Sequence, residues 1–175
     1  MIDATPRTSH AVTAELMALC RDEVVFLERR HRHRRDQPRH GHGEGIIPLL
    51  AIAATGVYVV GTHRHAEIRA DRGRHWDLSE QLHLAGRDTG AALADLGRQA
   101  AAVRSALADH PSGALVGVRA LLCLGSGALF GSPAVGGVPL LGITGAARVL
   151  RTDGPFHAGI RRHLAEHLGD RLPRA

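Results

Sequence analysis

His63 and His65 form a His-x-His pair directly after an apolar, β-branched run. Residues two apart on a strand project from one face, so the two imidazoles suit zinc or another borderline metal. His42, Glu44 or Glu67 would have to complete that site. In a chain with 13 histidines, two solvent-facing rings are the commoner meaning of the pattern. A second concentration of chemistry lies in Arg29, Arg30, Arg32, Arg34, Arg35 and Arg39, interleaved with His31, His33, His40 and His42. Guanidinium forks match phosphate oxygens, which makes Arg29, Arg30, Arg32, Arg34 and Arg35 the candidate nucleic-acid contacts. The competing meaning is a solvated loop.

Other candidates are weaker. His163 and His167 are four apart, a chelating spacing on a helix and equally the spacing of residues flanking a buried stripe. Asp88 and Asp95 have no partner at a spacing that suggests acid–base catalysis. The glycines from Gly125 to Gly137 lack the Gly-Lys-Ser/Thr end of a phosphate loop, and no Gly-x-Ser-x-Gly elbow occurs.

Composition narrows the classes. A chain of 175 residues fits one domain, 1–175, large enough to hold a core without metal or disulfide. Apolar residues make up 44% and aromatics 3%, so the core is aliphatic, and base-stacking platforms for single strands are disfavoured. The 22 basic residues exceed the 17 acidic ones, and every one of them is Arg; Lys and Asn do not occur. Such usage fits a GC-rich, bacterial-type coding bias, so arginine content alone says little about partners. Cys20 and Cys123 sit among apolar neighbours and read as small buried hydrophobes. The N-terminus lacks a signal-peptide pattern, and the longest apolar stretch, Ile46 to Val60, is broken by Pro48 and Thr55-Gly56. A cytoplasmic protein with no membrane partner is expected.

The elements follow from periodicity. A first helix, capped by Thr8 or Ser9, runs to about Arg21 with Val12, Leu16, Leu19 and Cys20 inward. Val24–Leu27 reads as a strand, and residues 28–45 as a long loop. Ile46–Ala53 and Val57–His63 form a hairpin, followed by a strand at Ala66–Ala70. A long helix spans Asp88 or Thr89 to about Ala108, with Leu93, Leu96, Ala100, Val103 and Leu107 on one stripe. Ala114–Leu124 is a strand buried on both faces, and Val138–Leu141 a short strand whose Pro139 suits an edge. Thr144 caps a helix to Leu150, and a last helix runs from about Pro155 to Leu172. This order gives an α/β fold, a mixed central β-sheet flanked by helices.

Two segments carry a resemblance. Ile47 to His63, with its Thr55-Gly56-Val57-Tyr58-Val59-Val60 run, resembles the core hairpin of the nuclease-related domain family. The helix around Gln99–Arg104, the strand Val118–Leu124, Gly137–Leu141 and the terminal helix follow in that family's order. The resemblance implies a restriction-endonuclease-like core, in which carboxylates on two adjacent strands hold Mg²⁺ and a nearby Lys orients the nucleophile. At the matching positions stand Pro48 for the first acid, Leu49 for its neighbouring His, Gly61 for the second acid and His63 for the Lys. The family's upstream Glu would fall near His10 or Ala11. Neither Pro nor Gly offers a side-chain oxygen, so Mg²⁺ is expected of the family but its ligands are missing.

The expected function is therefore a catalytically inactive nuclease-related domain, a pseudoenzyme with non-specific nucleic-acid binding through its arginines. A metal-dependent nuclease rebuilt around His63 and His65, or a protein-interaction module without nucleic acid, are the alternatives. No cofactor, protein partner or oligomeric state is encoded visibly.

Overall fold

The computed structural model describes residues 9–31, 45–63, 67–68, 82–84, 87–125 and 134–175. The helices are α1 (Ser9–Leu19), α2 (Thr89–Leu107), α3 (Ile143–Leu150) and α4 (Ala158–Arg171). The strands are β1 (Val25–His31), β2 (Ile46–Ala53), β3 (Gly56–His63), β4 (Glu67–Ile68), β5 (Leu82–Leu84), β6 (Arg87–Asp88), β7 (Val118–Leu124), β8 (Ala134–Val135) and β9 (Val138–Gly142).

The main sheet has the order β1-β2-β3-β7-β9-β8. β1, β2 and β3 run antiparallel to one another, while β3, β7 and β9 are parallel. Parallel neighbours need a crossover, and α2 supplies it between β3 and β7. The chain is thus α/β with a mixed sheet flanked by helices, as expected. β4, β5 and β6 form a separate small ribbon, with Glu67–Ile68 falling inside the expected Ala66–Ala70 strand.

Strand alternation sorts the core into two layers. Ile52, Val57, Val59, Leu122 and Leu140 pack with Leu96, Val103, Leu164 and Leu168 of α2 and α4. Ala51, Tyr58, Val60, Leu121 and Cys123 face the other way, toward Val12 and Leu16 of α1 and Ala146 and Leu150 of α3. Val57 to Val60 are all buried, because β3 lies between helices on both sides. Gly56 opens β3 at φ 144, with a built Cβ 2.5 Å from the Gly117 oxygen, so the β2–β3 turn and the entry to β7 approach too closely for a side chain.

Several boundaries differ from expectation, each for a tertiary reason. Glu28 to His31, expected in a loop, belong to β1, which continues through His31. β2 pairs with that extension on one side, and the C-terminal tail pairs on the other. There the His31 N–H donates to the Pro173 oxygen and the Ala175 N–H to the Arg29 oxygen, both at 2.8 Å. Residues 32–44 lie outside the described residues. The strand expected from Ala114 begins at Val118; Gly113–Leu115 is a 3-10 turn and Leu115 is 79% exposed. Leu19, expected inward, is 44% exposed, since α1 ends there and the chain turns. α3 is capped by Gly142 without a side-chain bond, leaving Thr144 inside its first turn. α4 begins at Ala158, capped by His157, whose Nδ1 accepts from the Gly159 N–H at 3.2 Å. Cys20 and Cys123 are free and buried, as read from their neighbours.

The segment just after α2 meets α4 at a histidine pair. His110 and His167 stack edge-to-face at 4.9 Å, and His167 Nε2 donates to the Ala106 oxygen at 2.9 Å. His110 Nδ1 accepts from the Ser112 N–H at 3.1 Å, a role that only the unprotonated nitrogen can fill. Burial, then the neighbouring His167 and His163, hold the His110 pKa below its ordinary 6.5. The unfolded chain therefore takes up this proton at higher pH than the folded one. Stability should fall as pH drops through about 6.5 and level off below the depressed folded value. Urea midpoints at neutral and mildly acidic pH should differ less in His110→Gln than in the parent chain; equal differences would remove His110 from the effect.

Candidate functional site

Pro48 shapes the site, because it has no N–H to give to a ladder. The β2–β3 ladder runs from Ala53↔Gly56 to Leu50↔Val59 and stops. β2 goes on beside β1 to Ile46↔His31, and β3 goes on beside β7 to His63↔Leu124. The two strands therefore fork, with Pro48 on one prong and Gly61 on the other. Counting in register puts them across from each other. The β1 ladder also skips the Pro48 position, and the facing Arg29 takes the left-handed φ of 43. The fork lies at the carboxyl ends of parallel β3 and β7, where open α/β sheets commonly bind ligands.

The fork is filled with hydrocarbon. Gly61 lies on the α2 side, and a Cβ built there would stand 3.0 Å from Leu122 Cδ1 and 3.1 Å from both Leu96 methyls. Pro48 is exposed, and Leu49 is 1% exposed inside the α1/α3 layer. His63 is half-buried at the end of β3 on the same face as Gly61, and its carbonyl accepts from the Gly125 N–H at 2.7 Å. The structure thus puts Pro48, Gly61 and His63 at one fork, with no oxygen donor among the three side chains. Those three positions do not fit Mg²⁺. His65 lies outside the described residues, so the His-x-His reading rests on His63 alone. Among the described residues, no three His, Cys, Asp or Glu side chains come together as a metal site.

One carboxylate near the fork escaped the sequence reading. Glu15 reaches the α1/α3 side, where its charge adds to the burial that pushes the Cys123 thiol up to about 12. Cys20, also in that layer, adds a smaller effect. Two residues earlier, Thr13 Oγ1 lies 3.2 Å from Thr62 Oγ1, tying α1 to β3 beside Gly61 and His63. Helical spacing carried the signal, since Glu15 follows Val12 by three on the inward side. His10 and Ala11, the positions the resemblance points to, are exposed in the first turn. Sheet alternation keeps Glu15 and His63 on opposite faces.

The other candidates fall elsewhere. Arg29 and Arg30 lie on β1, not in a loop, and Arg30 is bridged to Arg174 of the tail. Arg32, Arg34 and Arg35 lie outside the described residues. The three arginines Arg29, Arg30 and Arg174 share the outer sheet edge, and no described carboxylate pairs with them. His163 faces Glu166 at 3.6 Å while His167 bonds the Ala106 carbonyl, so the two do not chelate. Asp95 accepts from Gln99 and Arg98 in a structural cluster on α2.

Comparison with family models, curated proteins and solved structures gave no match. Among the described residues, no helix is long and apolar enough to cross a membrane.

The packing at Gly61 makes a specific expectation. Gly61→Asp forces a carboxylate against Leu96 and Leu122 and should cost on the order of 3 kcal/mol. Leu96→Ala should cost about 2–5 kcal/mol by itself. The double variant opens room for the new side chain, so its loss should undershoot the sum by about 1 kcal/mol or more. Urea denaturation of the four chains measures this; strict additivity would show that Leu96 does not occupy the Gly61 face.

Proposed function

We propose that this chain is a nuclease-like domain without metal-dependent cleavage, which binds nucleic-acid phosphates non-specifically along its β1 edge. The observation that carries the first half is the apolar filling of Gly61 by Leu96 and Leu122. A metal site there would need oxygen donors and room for water, and the fork offers methyl groups. The restriction-endonuclease-like reading of the core rests on the hairpin resemblance and on a mixed sheet that forks at the matching positions.

The second half is supported by Arg29, Arg30 and Arg174 on one edge, next to the arginine-rich segment that begins at Arg32. Arginine keeps its charge at every accessible pH and forks onto phosphate oxygens. Contacts of this kind read no sequence and weaken steeply with salt.

Plasmid and single-stranded DNA incubated with Mg²⁺ or Mn²⁺ should remain intact. Duplex binding should fall with salt at a log–log slope of about −2 to −3, as for roughly three neutralised phosphates. Arg29→Ala and Arg174→Ala should each reduce that slope by about 1. Metal-dependent cutting abolished by His63→Ala would replace this reading with a rebuilt catalytic centre. Binding that is absent or indifferent to salt would leave a protein-docking role for the domain.

A further inference from the structure

At the other end of the sheet, the middle of β7 has lost a neighbour. β7 pairs with β3 from Val118 onward, but β9 joins it only from Leu122↔Leu140. Pro139 precedes that first pair and has no N–H to extend the ladder toward Ala120. A cleft of about 470 Å³ opens along the uncovered edge, within the ordinary range for small-molecule sites.

Two arginines enter it from opposite faces of the sheet. Arg104 of α2 donates from Nη2 to the Val118 oxygen at 3.1 Å. From the other face, Arg119 donates from Nη1 to the Tyr58 hydroxyl at 3.2 Å, with its guanidinium 6.0 Å from the ring centroid. Tyr58 is itself fixed by Thr55 Oγ1 at 2.8 Å. Both guanidiniums are thus held in place by neutral oxygens, and among the described residues no acidic side chain lines the cleft. Elsewhere on this chain Arg98, Arg151 and Arg171 are paired with Asp95, Glu23 and Asp109.

The cleft is kept open by glycines that packing does not require. A Cβ at Gly97, Gly136 or Gly137 would meet nothing within 4 Å. Gly136 and Gly137 serve the tight β8–β9 turn, at φ 57 and 78. Gly97 has no such reason: it lies inside α2, where glycine weakens a helix, and its missing side chain widens the cleft wall.

We propose that this cleft binds a small molecule bearing a phosphate or carboxylate group, clamped between Arg104 and Arg119. An added peptide strand is the poorer occupant, because the free edge is short and Arg104 already lies across its carbonyl.

Calorimetric titration of the full chain with inorganic pyrophosphate and with citrate, at fixed chloride, tests the site. Either probe should bind once per chain with a Kd of about 1 mM or tighter. Binding by pyrophosphate alone assigns a phosphate ligand, and binding by citrate alone a carboxylate. Arg104→Gln and Arg119→Gln should each weaken binding about tenfold or more, while Arg98→Gln leaves it unchanged. Gly97→Leu touches neither arginine; it should raise Tm and abolish binding by filling the cleft. That variant decides the matter if an arginine variant fails to fold. Absence of saturable binding by both probes, or binding indifferent to Gly97→Leu, would overturn the proposal.

Discussion

The central pair of parallel strands governs what this molecule can do. β3 and β7 are covered on both faces, so nearly every side chain they carry is committed to one of two aliphatic layers. A hydrated or charged group placed there would lose its water without gaining a partner. Chemistry is therefore pushed to the places where a strand runs out of neighbours. Among the described residues three stand out: the β2–β3 fork, the outer side of β1, which only the short C-terminal tail covers, and the uncovered stretch of β7. Two of them owe their existence to a proline, Pro48 and Pro139, because a missing N–H ends a ladder more reliably than any side chain does.

Much of the sheet was legible from the sequence because local pattern and burial agree. The β-branched runs around Ala54-Thr55 fold as the expected hairpin, and the three-and-four spacing from Leu96 to Leu107 fixes the inward stripe of α2. The misreadings share one cause. Glu28, Arg29, Arg30 and His31 look like loop, but a partner from the far end of the chain supplies their outer ladder. Composition cannot foresee a pairing between residues about 140 positions apart, and at an edge polar strands cost little. Leu115 misled in the opposite sense: an apolar residue beside a strand need not belong to it.

The candidate site was half legible. Residue types alone say that Pro48 and Gly61 cannot ligate a hard cation. They do not say what stands in the space, and Leu96 answers that only once α2 is packed on β3. Glu15 is legible only from its spacing of three from Val12, while the resemblance points to the first turn of α1, at His10 and Ala11. The β7 cleft was invisible for a different reason. Arg104 and Arg119 are ordinary in sequence, and only the register of β9 leaves an edge between them.

The absence of lysine sharpens what the remaining cations can contribute. A buried lysine can be driven neutral and serve as base or nucleophile, whereas a guanidinium stays protonated throughout the accessible range. A guanidinium on this chain can thus fork onto oxyanions, or onto carboxylates as Arg98, Arg151 and Arg171 do, but it cannot move a proton. Three of the histidines are spent on structure: His110 bonds Ser112, His157 bonds Gly159 and His167 bonds Ala106. Charge that does not transfer protons, set around strand ends packed with leucine, fits the proposed reading of a domain that binds an anion without cleaving it.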